Sequence, residues 1–374
     1  MKRKKEAATG GRGRGRDHDH DHDDDDDDKQ RPWSDLLPEL VFTIVKQISF
    51  LDRRNAKFAF PEWGSTINEA SSGPFLLSYV PLFEIRILDP IDKIRYVLRP
   101  SRLPHEVMFC SIKHGWLLLC DIFWRSFFFY NPFSHVVIEL PPNEQSLFGS
   151  FCFSTLPTSS QCIVLVEEFK RDHIRFIFCS PGDRKWKELY ISQENIFSAE
   201  DGNAIFYKGK IYLMATEGKL GVFDLTTESW FVHDNPNAGI SEPVGGINYL
   251  VESDNNLFRV WTKKHPLIHF QVAYVRVYKL DESKHVWKET RSLGGRCFFV
   301  SYNPLSIETV EEFRGEQDVI YFAGETTQVG SFSYYDVRHA CMNFSEGAYI
   351  QHTFYQNSCW VMPKWDCSSP GEEH

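Results

Sequence analysis

Long apolar runs are absent from this 374-residue chain. No window approaches the ~18 consecutive apolar residues of a membrane span, so none is expected. Signatures of local chemistry are missing as well: there is no GxSxG nucleophile turn, no HExxH helix, no phosphate-cradling P-loop and no GxGxxG after a strand. The nine cysteines contain no CxxC pair and no regular spacing, and no secretory leader precedes them, so they read as reduced intracellular thiols packed as small hydrophobes. His105, Cys110 and His114 lie near one another, but their spacing fits no usual zinc pattern. Glu167-Glu168 and Glu311-Glu312 are adjacent, so on strands each pair would point to opposite faces, as a solvated edge rather than a cooperating acid/base pair. An excess of positive charge is also lacking. The formal net charge of −10 offers no global attraction for nucleic acid.

Aromatic residues are abundant. They make up 15% of the chain, and its 31 phenylalanines lean towards strands. The length suggests two domains, or one large β-domain with an appendage. The first 31 residues cannot form part of either. Lys2-Arg3-Lys4-Lys5 and the Arg-Gly alternation through Arg16 are basic, and Asp17 to Asp28 alternates Asp with His before becoming all Asp. Such a tract cannot bury enough apolar surface to fold and is expected to be a solvated, disordered tail. Its basic cluster is compatible with a nuclear address, giving an expected localisation in nucleus, cytoplasm or both.

The chain then changes character. Leu37, Leu40, Val41, Ile44, Val45 and Ile48 recur at helical spacing and form one continuous apolar face. Pro38 stands where a missing N–H costs nothing, and Glu39 complements the helix dipole. Asp52 is expected to cap a second helix carrying Ala56, Phe58 and Ala59; Pro61 ends it and opens a third around Trp63. Three short helices in about forty residues cannot bury a self-sufficient core, so the unit needs a neighbour. The neighbour could be the rest of this chain or a separate protein.

The order of these parts resembles the F-box: Trp33-Ser34-Asp35-Leu36, Leu37-Pro38-Glu39-Leu40, the Ile44/Ile48 face, Leu51-Asp52 and a closing Trp63. The chain departs from that family where Ala59-Phe60-Pro61-Glu62 precedes the tryptophan. The resemblance implies docking on a Skp1-like adaptor, and through it a cullin, by Leu36, Pro38, Glu39, Leu40, Ile44, Ile48, Leu51, Asp52, Phe58 and Trp63.

Ser71-Ser72-Gly73-Pro74 reads as a linker, and from Phe75 short β-type runs separated by turns take over. Tyr207-Lys208-Gly209-Lys210 predicts a tight hairpin. A strand ending in a polar turn is followed by a tryptophan near Trp186, Trp230 and Trp287, at steps of 44 and 57 residues. The ~40–50 residues of a four-stranded propeller blade are close to this. Six or seven blades fit the available length; a pair of β-sandwiches is the alternative. Gly245-Gly246 and Gly294-Gly295 read as turn glycines, and Arg259, Trp261, Lys263-Lys264 and His265 as a loop that could present an anchor with cations, or as a core tryptophan beside a solvated turn.

A second resemblance rests on Met108 through Leu119 with its Gly115-Trp116-Leu117 core, on Tyr130-Asn131-Pro132-Phe133, and on Ile138-Glu139-Leu140-Pro141-Pro142. Together these are similar to the KIB-type β-propeller that follows F-boxes in plants. The expectation is therefore a mainly-β protein: a tail over 1–31, an F-box over 32–71, a β-propeller over 72–366 that binds a target protein, and a disordered C-terminus over 367–374. The implied role is the substrate-recognition subunit of an SCF-type E3 ubiquitin ligase, non-catalytic, with no cofactor, no metal, no membrane and no specific nucleic acid. A non-ligase interaction scaffold and a β-propeller enzyme with a helical cap are the alternatives. Which target is recruited, and by which loops, has no legible code.

Overall fold

The computed structural model describes residues 33–363, apart from 70–72, 81–83, 91–92, 99–102, 104–106, 144–146, 193–203, 216–218, 234–235, 238–239, 241, 243–244, 265–271, 302–306, 312, 314, 324–331 and 345–357. Both expected disordered termini lie outside the described residues. Contacts divide the chain into two compact units, Met1–Ile67 and Asn68–His374.

The first unit is helical. A 3-10 turn, Trp33–Asp35, leads to α1 (Pro38–Gln47) and α2 (Phe50–Ala59); a second 3-10 turn, Pro61–Trp63, runs into α3 (Gly64–Glu69). Pro38 occupies the first turn of α1, where no amide hydrogen is needed. The cap of α2 differs from expectation. Ser49, not Asp52, is the N-cap: its Oγ accepts from the Asp52 amide at 3.3 Å and donates to the Asp52 carboxylate at 2.7 Å. Asp52 thus sits inside the first turn, its amide capped by the Ser49 hydroxyl and its carboxylate held by the same group. Phe60 leaves the helix at φ −133°, as a residue preceding proline must. Trp63 then ties the unit's ends together, stacking on Phe60 at 4.8 Å and donating its indole N–H to the Trp33 carbonyl at 3.1 Å.

The second unit is a six-bladed β-propeller. Blade 1 contains β1 (Phe75–Val80), β2 (Glu84–Leu88) and β3 (Arg95–Leu98); blade 2, β4 (Val107–Lys113), β5 (Trp116–Asp121), β6 (Phe127–Tyr130) and β7 (Val137–Glu139). Blade 3 contains β8 (Ser150–Phe153), β9 (Val164–Phe169), β10 (His173–Cys179) and β11 (Lys187–Ser192); blade 4, β12 (Ile205–Tyr207), β13 (Lys210–Met214), β14 (Leu220–Asp224) and β15 (Ser229–His233). Blade 5 contains β16 (Ile247–Ser253), β17 (Asn256–Lys264), β18 (Val272–Asp281) and β19 (Val286–Glu289). Blade 6 contains β20 (Cys297–Val300), β21 (Ile307–Val310), β22 (Val319–Ala323), β23 (Phe332–Asp336) and β24 (Cys341–Phe344).

The ring closes with β25 (Ser358–Val361), which pairs antiparallel with β1 and places Trp360 opposite Leu76. Chain end thus supplies the inner strand of the first blade. Trp360 is fully buried and meets Phe299 and Phe332 edge-on at 5.1 and 5.6 Å, joining blades 6 and 1. The other interfaces follow one plan. Apolar side chains of blades 2 and 3, 3 and 4, 4 and 5, and 5 and 6 each merge into a shared cluster. Every blade therefore buries both faces, which explains the near-continuous apolar strands such as Trp116–Cys120.

Turn chemistry repeats with the blades. Lys208 and Gly209 have φ of +49° and +76°, a type I′ hairpin as expected, and Gly115 and Asn255 stand in matching turns. Between the last two strands of their blades, Asn131, Asp224, Asp281 and Asp336 each accept hydrogen bonds from the amides two and three residues on. This side-chain-capped turn is a more regular blade marker than tryptophan. Trp230 and Trp287 do lie on outer strands, β15 and β19, and Trp186 immediately precedes β11.

Gly73-Pro74 is not a free linker: a Cβ on Gly73 would fall 2.4 Å from the Phe313 ring, and Pro74 is buried. Gly245, Gly294 and Gly295 have the positive φ of turn residues, whereas Gly246 is required by space, because a Cβ there would meet the Trp261 indole at 2.1 Å.

Candidate functional site

The apolar face read on α1 divides in two. Val41 and Val45 are closed off from solvent, the latter at 0% exposure. Leu37 and Leu40 stand out at 65% and 51%, with Ile44 and Ile48 half-buried between the two edges. A stripe wider than one interface needs therefore leaves about half of itself unused. Pro38, Glu39 and Asp52 are exposed around it, Leu36 is half-buried, and Phe58 on α2 is 71% exposed. The Leu51 side chain lies outside the described residues. Trp63 is 4% exposed, so it braces the unit through Trp33 and Phe60 and offers almost no surface of its own. Trp33, which is exposed, shows the opposite face of that brace.

In electrostatic terms this surface is plain. Glu39 and Asp52 lie in the first turns of α1 and α2, where the partial positive charge of each helix start favours them. The arrangement can bury apolar area against a partner.

The propeller's channel is the other place where function could reside. Inner strands of blades 2 to 5 contribute Ser111, Lys113, Cys152, Ile205 and Glu252 to a small cavity, and Ile307 of β21 shares it. Blade 6 has five strands because β20 runs parallel to β22, so β21 is added on the blade's inner edge. The added strand thus supplies one wall of that cavity through Ile307.

Other sequence-level candidates settle into structural roles. Arg259 and Trp261 lie on β17 and are buried, not presented on a loop. The reason is a polar nest: the Arg259 guanidinium donates to Asn248 at 2.7 Å, Asn237 at 2.9 Å and Glu242 at 2.5 Å, fixing the segment that connects blades 4 and 5. His265 lies outside the described residues. Glu167 and Glu168 do point to opposite faces, but both are buried, so the expected solvated edge is wrong. Glu168 and Glu188 grip Arg175 from two sides, at 3.0 and 2.8 Å, and the Arg175 contact holds the Glu188 carboxyl below its usual range. Among the described residues Glu167 has no such cation, and burial raises its pKa well above the usual carboxylate range. Glu311 is exposed, and Glu312 lies outside the described residues.

His105 is also outside the described residues, His114 forms the β4–β5 turn at φ +55°, and Cys110 is buried at the β4 bulge. Burial pushes the Cys162 and Cys297 thiols up to about 11, leaving them protonated and unreactive at neutral pH. Cys341 is exposed. Among the described residues no helix is long and apolar enough to cross a membrane.

Comparison with known proteins fits this architecture. The family model described as KIB1-4 beta-propeller matches residues 86–341. Among curated relatives, the F-box/kelch-repeat protein At1g57790 of Arabidopsis thaliana is 24% identical over 331 residues, covering 85% of this chain and 88% of the relative. F-box protein At4g00893 of the same plant is 27% identical over 72% of this chain and 71% of its own length. F-box protein At1g49360 is 27% identical over 70% of this chain, which spans 56% of that relative.

Proposed function

We propose, from the premise that the chain belongs to the KIB1-4 beta-propeller family and is similar over 85% of its length to a plant F-box protein, that it is the substrate-recognition subunit of an SCF-type E3 ubiquitin ligase. The helical unit docks on a Skp1-like adaptor through Leu36, Leu37, Pro38, Glu39, Leu40, Ile44, Ile48, Leu51, Asp52 and Phe58. Trp63 holds that surface from behind. The propeller carries a target protein, and the assembly brings a target lysine close to a ubiquitin-charged enzyme. The gain is one of effective concentration, so this subunit needs no nucleophile or general base of its own.

One observation supports the reading above the rest: a short helical unit keeps Leu37, Leu40 and Phe58 in water although Val41 and Val45 beside them are buried. Apolar clusters of that kind on small units mark a missing partner. Affinity purification of the full chain from plant tissue with the proteasome inhibited tests the proposal. Recovery of adaptor and cullin together supports the ligase. Adaptor without cullin would make the chain a scaffold, and neither would remove the reading. The basic N-terminal cluster is the basis for proposing residence in nucleus and cytoplasm, which a fluorescent fusion would check.

A further inference from the structure

Large apolar side chains exposed on the propeller are mostly scattered singly, as with Ile94, Phe231 and Tyr274. One place differs. The turn joining β5 to β6 exposes Ile122 and Phe123, and the segment leading into β8 exposes Phe148, with Trp124 between them. These two segments meet because β5 ends and β8 begins at the same end of the propeller. Phe123 is 66% and Phe148 62% exposed. Two aromatic rings open to that extent present on the order of 250 Å² of ring surface, before Ile122 is added. Patches of this order on a monomer are often functional.

The backbone beneath is braced. The Asp121 carboxylate accepts from the amides of Arg125 at 2.9 Å and Ser126 at 3.3 Å, and the Trp124 amide donates to the Asp121 carbonyl at 3.0 Å. Across the groove, Leu147 donates to the Trp124 carbonyl at 3.1 Å and Asn143 to the Arg125 carbonyl at 3.1 Å, while the Phe148 amide is held by Glu168 at 3.2 Å. Trp124 stacks on Phe151 at 5.8 Å and touches Phe148 at 6.0 Å. The exposed rings therefore stand on a fixed frame and would lose little freedom on binding.

Charge tells which partner suits the groove. Arg125 is exposed at its rim, and its guanidinium meets no carboxylate among the described residues. Asp121, the acid nearest in sequence, also lines the groove, but one of its carboxylate oxygens is taken up by two backbone amides rather than by the Arg125 guanidinium. The groove thus combines an aromatic shelf with an unanswered cation.

We propose that this groove receives a short linear segment of the target protein, seating a bulky apolar side chain on Phe123, Phe148 and Ile122 and a nearby carboxylate on Arg125. The assignment deepens the substrate-receptor reading and rests on it. Selecting random linear peptides on a display library against the full chain is the test. Recovered peptides should pair an aromatic or large aliphatic residue with a close Asp or Glu. Phe123→Ser combined with Phe148→Ser should weaken them at least about tenfold, the scale of one good anchor. Arg125→Glu should turn the preference towards Lys or Arg. All three positions are exposed, and an unchanged melting curve for each variant confirms the fold. Peptides that bind every variant alike, or no enrichment at all, would overturn the proposal. So would a concentration-dependent dimer abolished by the phenylalanine changes, which would assign the groove to a second copy. Adaptor recovery by the same variants should be unchanged; its loss from the unaltered chain would count against the ligase reading alone.

Discussion

Leu40→Asp separates docking from folding on α1. Leu40 is the third residue of the helix, in the first turn, where an added carboxylate is favoured by the helix dipole. With half of its surface in water already, its loss exposes no sealed core. The helical unit should keep its far-ultraviolet circular dichroism. Binding is another matter. Full burial of a leucine contributes about 1.5–3 kcal/mol, so covering the exposed half is worth roughly 1–1.5 kcal/mol. Pressing an unpaired carboxylate into an apolar interface costs a further ~1–3 kcal/mol. Together these weaken the complex by about 2–4.5 kcal/mol, which is roughly thirty-fold to two-thousand-fold in Kd. Isothermal titration of purified full chain against a Skp1-like adaptor measures it directly. Val45→Asp is the contrasting control, because it places the charge at a sealed position and should disorder the unit itself. An adaptor affinity within about threefold of the original for Leu40→Asp, with helix content unchanged, would refute the docking face.

Trp360→Ala removes the largest side chain on the closing strand and should cost about 3–5 kcal/mol, seen as a lower midpoint in urea. A loss below about 1 kcal/mol would mean that β25 does not secure the ring. Arg259→Ala leaves the Glu242 carboxylate, one oxygen of which is buried, without its cation and should destabilise by roughly 3–5 kcal/mol in urea unfolding; a loss below about 1 kcal/mol would mean that the nest does not hold the connection. For Glu167, burial raises the folded-state pKa above the unfolded one, so the native state binds more protons between the two values and stability falls as pH rises through that window. Glu167→Gln should therefore raise the melting temperature at neutral pH by more than at pH about 4; an equal change at both would refute the assignment.

Local patterns were readable wherever the physics is local. The helical spacing from Leu37 to Ile48, proline at the helix start and the Lys208-Gly209 hairpin each depend on neighbours a few residues apart. Ser49 and Asp52 are both residue types that cap, and only the backbone shows which hydroxyl or carboxylate faces the free amides. Strand alternation alone places Glu167 and Glu168 on opposite faces, but it does not fix their burial. Alternation says which way a side chain points, not whether another blade is waiting there. Of the two readings of the Arg259–His265 run, the core tryptophan is the one that holds for Trp261, whereas the burial of Arg259 depends on Asn237, Glu242 and Asn248, two of which belong to a connection between blades that nothing in a basic, aromatic run announces.

Order and periodicity in the amino acids were enough to specify a helical unit too small to stand alone, followed by short strands that bury both faces. Their period bounded the blade number without choosing it. Six blades, an extra strand β21 on the inner edge of the last, and closure by β25 on β1 were decided in three dimensions. The Cys359 thiol reaches the Leu77 carbonyl across 282 positions, and no local preference encodes a pairing so remote. The division of the α1 stripe into a sealed half and an open half was decided there too. Hydrophobicity is a property of the residue, but what covers it belongs to the fold.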